Sequence, residues 1–350
     1  MPTLNQKLQN LTPYVPNEKK YKIYLDANES FLEMPPVMRE EIHRELDALS
    51  LNRYPDPLAT EACEAFAAYH GLPVKNIVAG NGSDELISVL FMSFLEKGDR
   101  FASISSDFSM YAFYGRQCEA EHIEIPRNAD LTVNPDTVIQ TCKDKGIRLL
   151  IFSNPCNPTS LGLHSTDVLR IVKELDAFVV VDEAYMDFWN QSIMSGFAGF
   201  ENLIILRTCS KAFGMAGVRL GFAVANDRLS GILKAAKSPY NVNSISQMVG
   251  AVTLRHKDLT ETAIKDIINS KGELLTGVRE LQKQNGGFTV LDSHTNFVSM
   301  QMKDPRRFHM YLCEKGIAVR YTEGLIRVTA GTREENEAYL NAMQVYLEGC

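Results

Sequence analysis

A lysine flanked by hydroxyls and an arginine marks the stretch Arg207-Thr208-Cys209-Ser210-Lys211-Ala212-Phe213-Gly214-Met215-Ala216-Gly217-Val218-Arg219 as a place where this chain can do chemistry. The apolar runs on either side, Leu203-Ile204-Ile205-Leu206 and Leu220-Gly221-Phe222-Ala223-Val224, read as buried strands, so Lys211 sits on a strand-to-strand connection. Walled there by Phe213 and Met215, its ammonium loses hydration. Its pKa falls, and the neutral amine becomes available to form an imine with a carbonyl. Thr208, Ser210 and Arg219 bring two hydroxyls and a guanidinium close by, a set that suits a phosphate. The alternative is a solvated loop lysine, as most lysines are. Upstream, Val179-Val180-Val181-Asp182-Glu183-Ala184-Tyr185 weighs against it, because it reads as a buried strand ending in a carboxylate. A carboxylate at the end of a buried parallel strand is costly unless paired, so Asp182 is expected to face a cationic partner in the crevice.

Two more turns carry polar groups of this kind. Ile77-Val78-Ala79-Gly80-Asn81-Gly82-Ser83-Asp84-Glu85 reads as a strand, a glycine turn and a helix start. Backbone amides at a helix N-terminus attract anions, so Gly82, Ser83 and Asp84 form a candidate phosphate cradle, with a plain capped turn as the competing account. Gly80-x-Gly82 does not extend to a dinucleotide fingerprint, because Glu85 occupies the third glycine's place. The loop Ser153-Asn154-Pro155-Cys156-Asn157-Pro158-Thr159 is stiffened by its prolines, which suits holding an amide against a ligand oxygen.

Asn157-Pro158-Thr159, Asp182-Glu183-Ala184-Tyr185 and Ser210-Lys211-Ala212-Phe213-Gly214, in that order and spacing, resemble the motifs of fold type I aminotransferases that use pyridoxal 5'-phosphate. Pro13-Tyr14-Val15-Pro16, Leu25-Asp26-Ala27-Asn28-Glu29, Asn52-Arg53-Tyr54-Pro55 and Gly82-Ser83-Asp84-Glu85 are similar, more narrowly, to those of the histidinol-phosphate aminotransferase branch. The resemblance runs from about residue 10 to the C-terminus. It implies that Lys211 is the Schiff-base lysine and general base, and that Asp182 keeps the pyridine nitrogen protonated so that the ring can act as an electron sink. By the same resemblance Asn157 and Tyr185 bond the phenolic oxygen of the cofactor and Phe108 stacks on its ring. Tyr24, Ala27 and Asn28 would lie in an arm over the site. Tyr54 would cross a homodimer interface to the partner's cofactor phosphate. Arg327 would grip an anionic substrate group bidentately, and Arg320 is the candidate for a second anion. Surface salt bridges are the bland account of these two arginines, and a core phenylalanine that of Phe108.

This chain departs from the family pattern at Ser106-Asp107, where Pro-Thr is usual, and at Thr159-Ser160-Leu161-Gly162, where Pro-Thr-Gly is usual. The implied reaction is transamination between L-histidinol phosphate and 2-oxoglutarate. An aromatic amino acid aminotransferase or a threonine-phosphate decarboxylase would share the cofactor residues. From another class, a cofactor-binding regulatory or partner protein without turnover would have no need of Lys211 as a base, so the full set Lys211, Asp182, Asn157 and Arg219 speaks against it.

The elements that must position these groups alternate strand and helix between about residues 75 and 225. That alternation predicts an α/β fold, a doubly wound and mostly parallel sheet with its site at the carboxyl ends of the strands. A helix is predicted over 35–49, another after Gly82 with Leu86, Ile87, Leu90, Phe91, Phe94 and Leu95 on one face, and a third near 135–144. Strands are predicted at 21–25, 101–104 and 148–152, and farther on at 288–291, 297–302, 317–320 and 326–329, with helices at 305–315 and 333–348. The expected organisation is an arm over 1–34, a large domain over 35–240 and a smaller α+β domain over 241–350.

Composition bounds the rest. A chain of 350 residues, 45% hydrophobic and 23% charged, buries a sizeable core and suits a large domain with a smaller one. A net charge of -7 without a basic cluster argues against a nucleic-acid surface. Seven cysteines without a C-x-x-C pair or metal-ligand spacing read as reduced thiols. No leader or long apolar run is visible, so a cytoplasmic enzyme is expected.

Overall fold

The computed structural model describes residues 3, 5–8, 13, 20–322 and 324–349, so Tyr14, Val15 and Pro16 of the first motif and Cys350 lie outside the described residues. From the N-terminus come β1 (Ile23–Tyr24), α1 (Pro36–Ala48), α2 (Thr60–His70), β2 (Ile77–Gly80), α3 (Gly82–Phe94) and β3 (Arg100–Ile104). There follow α4 (Met110–Gln117), β4 (Glu121–Ile125), α5 (Pro135–Lys145), β5 (Leu149–Ser153), α6 (Ser165–Glu174) and β6 (Phe178–Asp182). Next are β7 (Leu203–Thr208), β8 (Gly221–Ala225), α7 (Asp227–Ala236), α8 (Ser244–Arg255) and α9 (Lys257–Asn285). The chain finishes with β9 (Phe288–Val290), β10 (Phe297–Met302), α10 (Pro305–Glu314), β11 (Ile317–Ala318), β12 (Arg320–Thr322), β13 (Leu325–Thr329) and α11 (Arg333–Glu348).

Seven strands form the main sheet in the order β2-β8-β7-β6-β5-β3-β4. Its pairs from β4 through β7 are parallel, and β8 alone runs against its neighbours. Both faces are covered, which is why β5, β6 and β7 read as continuous apolar runs rather than alternating ones. Along β6, Val179 and Val181 point into one core with α2, α5, α6 and α8, while Val180 points into another with α3, α4 and α7. The apolar stripe expected on α3 is buried at Leu86, Ile87, Leu90, Phe91 and Phe94.

A four-stranded antiparallel sheet, β12-β13-β10-β9, packs with α10, α11 and the later part of α9 around a third core. Met248, Val249, Val252, Ile264 and Ile267, which the sequence grouped with the C-terminal domain, pack instead in the core of the main sheet. Leu274, Val278 and Leu281 belong to the small core. At ~1.5 Å per residue the 29-residue α9 is roughly 43 Å long, so one helix serves both cores.

The N-terminal arm joins the two bodies. β1 pairs in parallel with β11, and Leu25 is buried in the small core. Farther along, Phe31, Leu32 and Met34 pack against the large one. Asp26, Ala27 and Asn28 therefore span the cleft between them.

Candidate active site

The carboxyl ends of β5, β6 and β7, the start of α3 and the turn after β3 converge on one cavity of about 540 Å³. Of the predicted residues, Asn28, Ser83, Asp84, Phe108, Asn157, Asp182, Tyr185, Thr208, Ser210, Lys211, Arg219, Arg320 and Arg327 line it. Gly82, Tyr24 and Tyr54 do not. Tyr24 is 56% exposed on β1, and its phenolic oxygen accepts the Tyr21 amide at 3.0 Å. Tyr54 is 81% exposed and stacks on Tyr240 with ring centroids 4.5 Å apart.

Lys211 reaches across the cleft from the β7–β8 connection, and its Nζ donates to the Ala27 carbonyl at 2.9 Å. Burial and the neighbouring positive charge of Arg327 bring its pKa down to about 8, with Glu29 opposing and Arg219 assisting. The amine therefore sheds its proton only slightly above neutrality, as a nucleophile or base must.

Asp182 is 4% exposed, and among the described residues no lysine or arginine pairs with it. Its Oδ2 accepts the Tyr111 hydroxyl at 2.9 Å and its Oδ1 the Ala184 amide at 3.1 Å. Loss of hydration pushes its pKa up to about 7, the Tyr111 bond resists this, and the nearby Asp107 carboxyl adds to it. Asp107 is a second acid on the floor. Its oxygens accept the Ser153 amide at 3.0 Å, the Ser153 hydroxyl and its neighbouring Phe108 amide, and burial raises its pKa to about 6. Phe108 is half-buried and meets the Tyr111 ring edge to face at 5.6 Å.

Opposite this floor lies an anion cradle. Thr208 Oγ1 and Ser210 Oγ are 3.1 Å apart, and Arg219 donates to Ser210 Oγ at 3.4 Å. Gly82 adopts φ +79°, where a Cβ would stand 2.7 Å from Arg219 Nη2, and a Cβ on Gly221 would stand 2.4 Å from the Ser83 amide nitrogen. Only glycines let helix start, strand and guanidinium close up so tightly. Arg219 itself holds φ +56°, a strained position for a non-glycine residue of the kind that clusters at functional sites. The Asp84 carboxyl turns away toward Tyr114, 3.2 Å off, so any anion here would meet the backbone at the start of α3.

The remaining wall comes from the arm and the small sheet. Buried Asn28, at φ +55°, donates through Nδ2 to the Tyr185 hydroxyl at 2.8 Å and is tied to Thr329 through its amide at 3.0 Å. Arg327 donates to Asn157 Oδ1 at 2.5 Å and to the Asp26 carbonyl at 2.6 Å, and its Nε has no partner among the described residues. Burial, with the charge of Arg320 adding, brings its pKa down to about 10. Arg320 is half-buried and stands 3.8 Å from Asp26 Oδ2.

These groups suit a flat, phosphorylated carbonyl compound with a basic ring nitrogen: an amine near neutrality, an acid without a counter-ion, an aromatic wall and an anion cradle. A second cavity, of about 600 Å³, lies around His70, Met194 and Phe197, but its charged groups Lys75 and Asp227 pair with each other at 2.6 Å. Sequence reasoning missed Tyr111 and gave Asp107 no role. Both stand within a few residues after β3, but their partners are 71 and 46 residues away, so only a guess at the sheet order could have found them.

The pattern of the family described as "Aminotransferase class I and II" matches residues 20–343. The chain belongs to that family. This aminotransferase is 37% identical over 342 residues to the histidinol-phosphate aminotransferase of Clostridium novyi (strain NT), covering 96% of this chain and 95% of the relative. It is 34% identical over 348 residues to that of Clostridium kluyveri (strain NBRC 12016), covering 98% of each chain. Among solved structures, histidinol-phosphate aminotransferase from Sinorhizobium meliloti in complex with pyridoxal-5'-phosphate superposes with a TM-score of 0.88 at 20% identity, covering 99% of this chain and 98% of that one, a likeness of fold.

Proposed function

We propose that this aminotransferase holds pyridoxal phosphate in the cavity and transfers an amino group between L-histidinol phosphate and 2-oxoglutarate, giving imidazole-acetol phosphate and glutamate. The observation that carries the reading is the near-full-length identity to histidinol-phosphate aminotransferases, joined to an amine, an uncompensated acid and an anion cradle in one cleft. The cofactor supplies an aldehyde for amines and a ring that withdraws electrons from the bonds of the attached carbon.

This chain's own residues do the rest. Lys211 Nζ would hold the cofactor through its aldehyde carbon, and as a free amine it would take the proton from the substrate Cα and return one. Asp182 holds a proton at the ring nitrogen. Gly82, Ser83, Asp84, Thr208, Ser210 and Arg219 hold the phosphate, the first three through the backbone. Phe108 offers a flat wall. Asn157 and Tyr185 address the phenolic oxygen, and Arg327 turns from Asn157 and Asp26 toward the anionic group of either substrate. Arg320 and Asn28 shape the outer pocket, with Tyr24 at its rim.

Tyr54, stacked on Tyr240 and exposed, suits a homodimer in which it reaches the partner's cofactor phosphate. No helix among the described residues is long and apolar enough to cross a membrane, and a cytoplasmic setting fits a biosynthetic transaminase. Steady-state rates with histidinol phosphate and with phenylalanine at fixed 2-oxoglutarate test the substrate assignment. A preference for histidinol phosphate supports it, and a preference for phenylalanine overturns it in favour of an aromatic aminotransferase.

A further inference from the structure

Tyr111 lies in the first turn of α4, is 1% exposed, and donates its hydroxyl to Asp182 Oδ2 at 2.9 Å. The ring belongs to the core under the sheet, where it packs on the edge of Phe108 at 83°. A buried core tyrosine usually spends its hydroxyl on the backbone or on water. Here the hydroxyl meets the acid that the proposed function places against a ring nitrogen, while the same ring braces the aromatic wall of that site. Asp182 Oδ1 is held by the Ala184 amide, so each carboxylate oxygen has a neutral donor and the carboxyl plane is fixed. The acidic groups facing Asp182 are Asp107 from the turn after β3 and Asp84 from α3, and Tyr111 itself also faces Asp107 and the Cys156 thiol. With acids as the other neighbours, the Tyr111 hydroxyl is the side-chain donor that favours the ionised form of Asp182.

We propose that Tyr111 is a positioning residue of this transaminase: its hydroxyl fixes the orientation of the Asp182 carboxylate toward the cofactor ring nitrogen, and its ring fixes Phe108 beside it. The inference rests on the cofactor reading above. Tyr111→Phe removes the hydroxyl and keeps the ring.

The test compares binding of pyridoxal phosphate with binding of its 1-deaza carbocyclic analogue, which carries C–H in place of the ring nitrogen. The variant is expected to bind pyridoxal phosphate about tenfold more weakly than wild type while its affinity for the analogue stays unchanged, because loss of one hydrogen bond to a charged group acts only through the nitrogen. Equal loss for both compounds, or loss for neither, overturns the role of Tyr111 and leaves the cofactor reading intact. Wild-type protein that binds neither compound overturns the cofactor reading, and the inference with it.

A measurement without cofactor covers a variant that does not fold. In apoprotein carrying ¹³C at the tyrosine ζ-carbons, one of the 13 resonances should shift with a midpoint near 7 as Asp182 titrates. That step should vanish in Asp182→Asn. Absence of the step in wild type, or its persistence in Asp182→Asn, contradicts the coupling.

Discussion

Asp182 and Glu183 are neighbours at the end of β6, and both are buried, yet they are treated in opposite ways. Glu183 is fully enclosed and fully paired. Arg207 Nη1 donates to its Oε2 at 3.0 Å, Ser192 adds a bond at 2.6 Å, and the Ile193 amide bonds Oε1 at 3.0 Å. The other arm of Arg207 takes Asp187. Asp182 receives two neutral donors and faces further acids. One strand end thus carries a carboxyl bonded to a guanidinium and, one residue away, a carboxyl bonded to neutral donors among further acids. The Glu183-Arg207 pairing reads as structural, whereas an acid with a raised pKa that lines a cavity is the kind of group that marks a functional site.

The contrast predicts opposite trade-offs. Asp182→Asn should lower kcat/KM by about 10²–10³-fold, the scale of losing one electrostatic partner of the reacting system, without lowering the Tm of the apoprotein. A fall in Tm comparable with that of a core mutant would show that Asp182 is structural. Arg207→Met should do the reverse. It strands Glu183 and Asp187 without their cation and should cost about 3–5 kcal/mol in chemical denaturation, while activity per folded molecule is retained. Loss of activity at unchanged stability would move Arg207 into the chemistry.

The smallest effect is a pH dependence. The Asp182 pKa in the folded apoprotein, about 7, lies above the 3.8 of an unperturbed aspartate, so folding takes up protons between the two. Its contribution favours the fold in full below pH 4 and is lost as pH rises through 7. Apoprotein stability of wild type minus Asp182→Asn should therefore fall over that window, by a few kcal/mol at most. A flat or rising difference would mean that Asp182 is not a raised acid.

Much of this was legible in the sequence, and the reasons differ by element. Strands β5, β6 and β7 were visible because burial on both faces forces unbroken apolar runs. Lys211, Asp182 and Asn157 stand at strand ends whose motifs have fixed order, and the cavity holds all three. Edge strand β4 was not visible, because Glu121-His122-Ile123-Glu124 leaves one side in solvent and lacks a run. The cost of burying the Asp182 carboxylate was legible from the strand, but not the protein groups that meet part of it. A tyrosine hydroxyl and a backbone amide meet part of that cost, and no local pattern encodes a partner 71 residues away. The division of the chain near residue 241 was read from a proline-containing break, whereas packing is decided by which core each turn of α8 and α9 faces.

One peptide map decides whether this cleft is what its charges suggest. Protein loaded with pyridoxal phosphate, reduced with borohydride and digested, should carry the added mass on Lys211 and on no other of its lysines. A label on a different lysine, or none, would contradict the account, since the lowered pKa of Lys211, the unpaired acid and the anion cradle would then serve no common ligand.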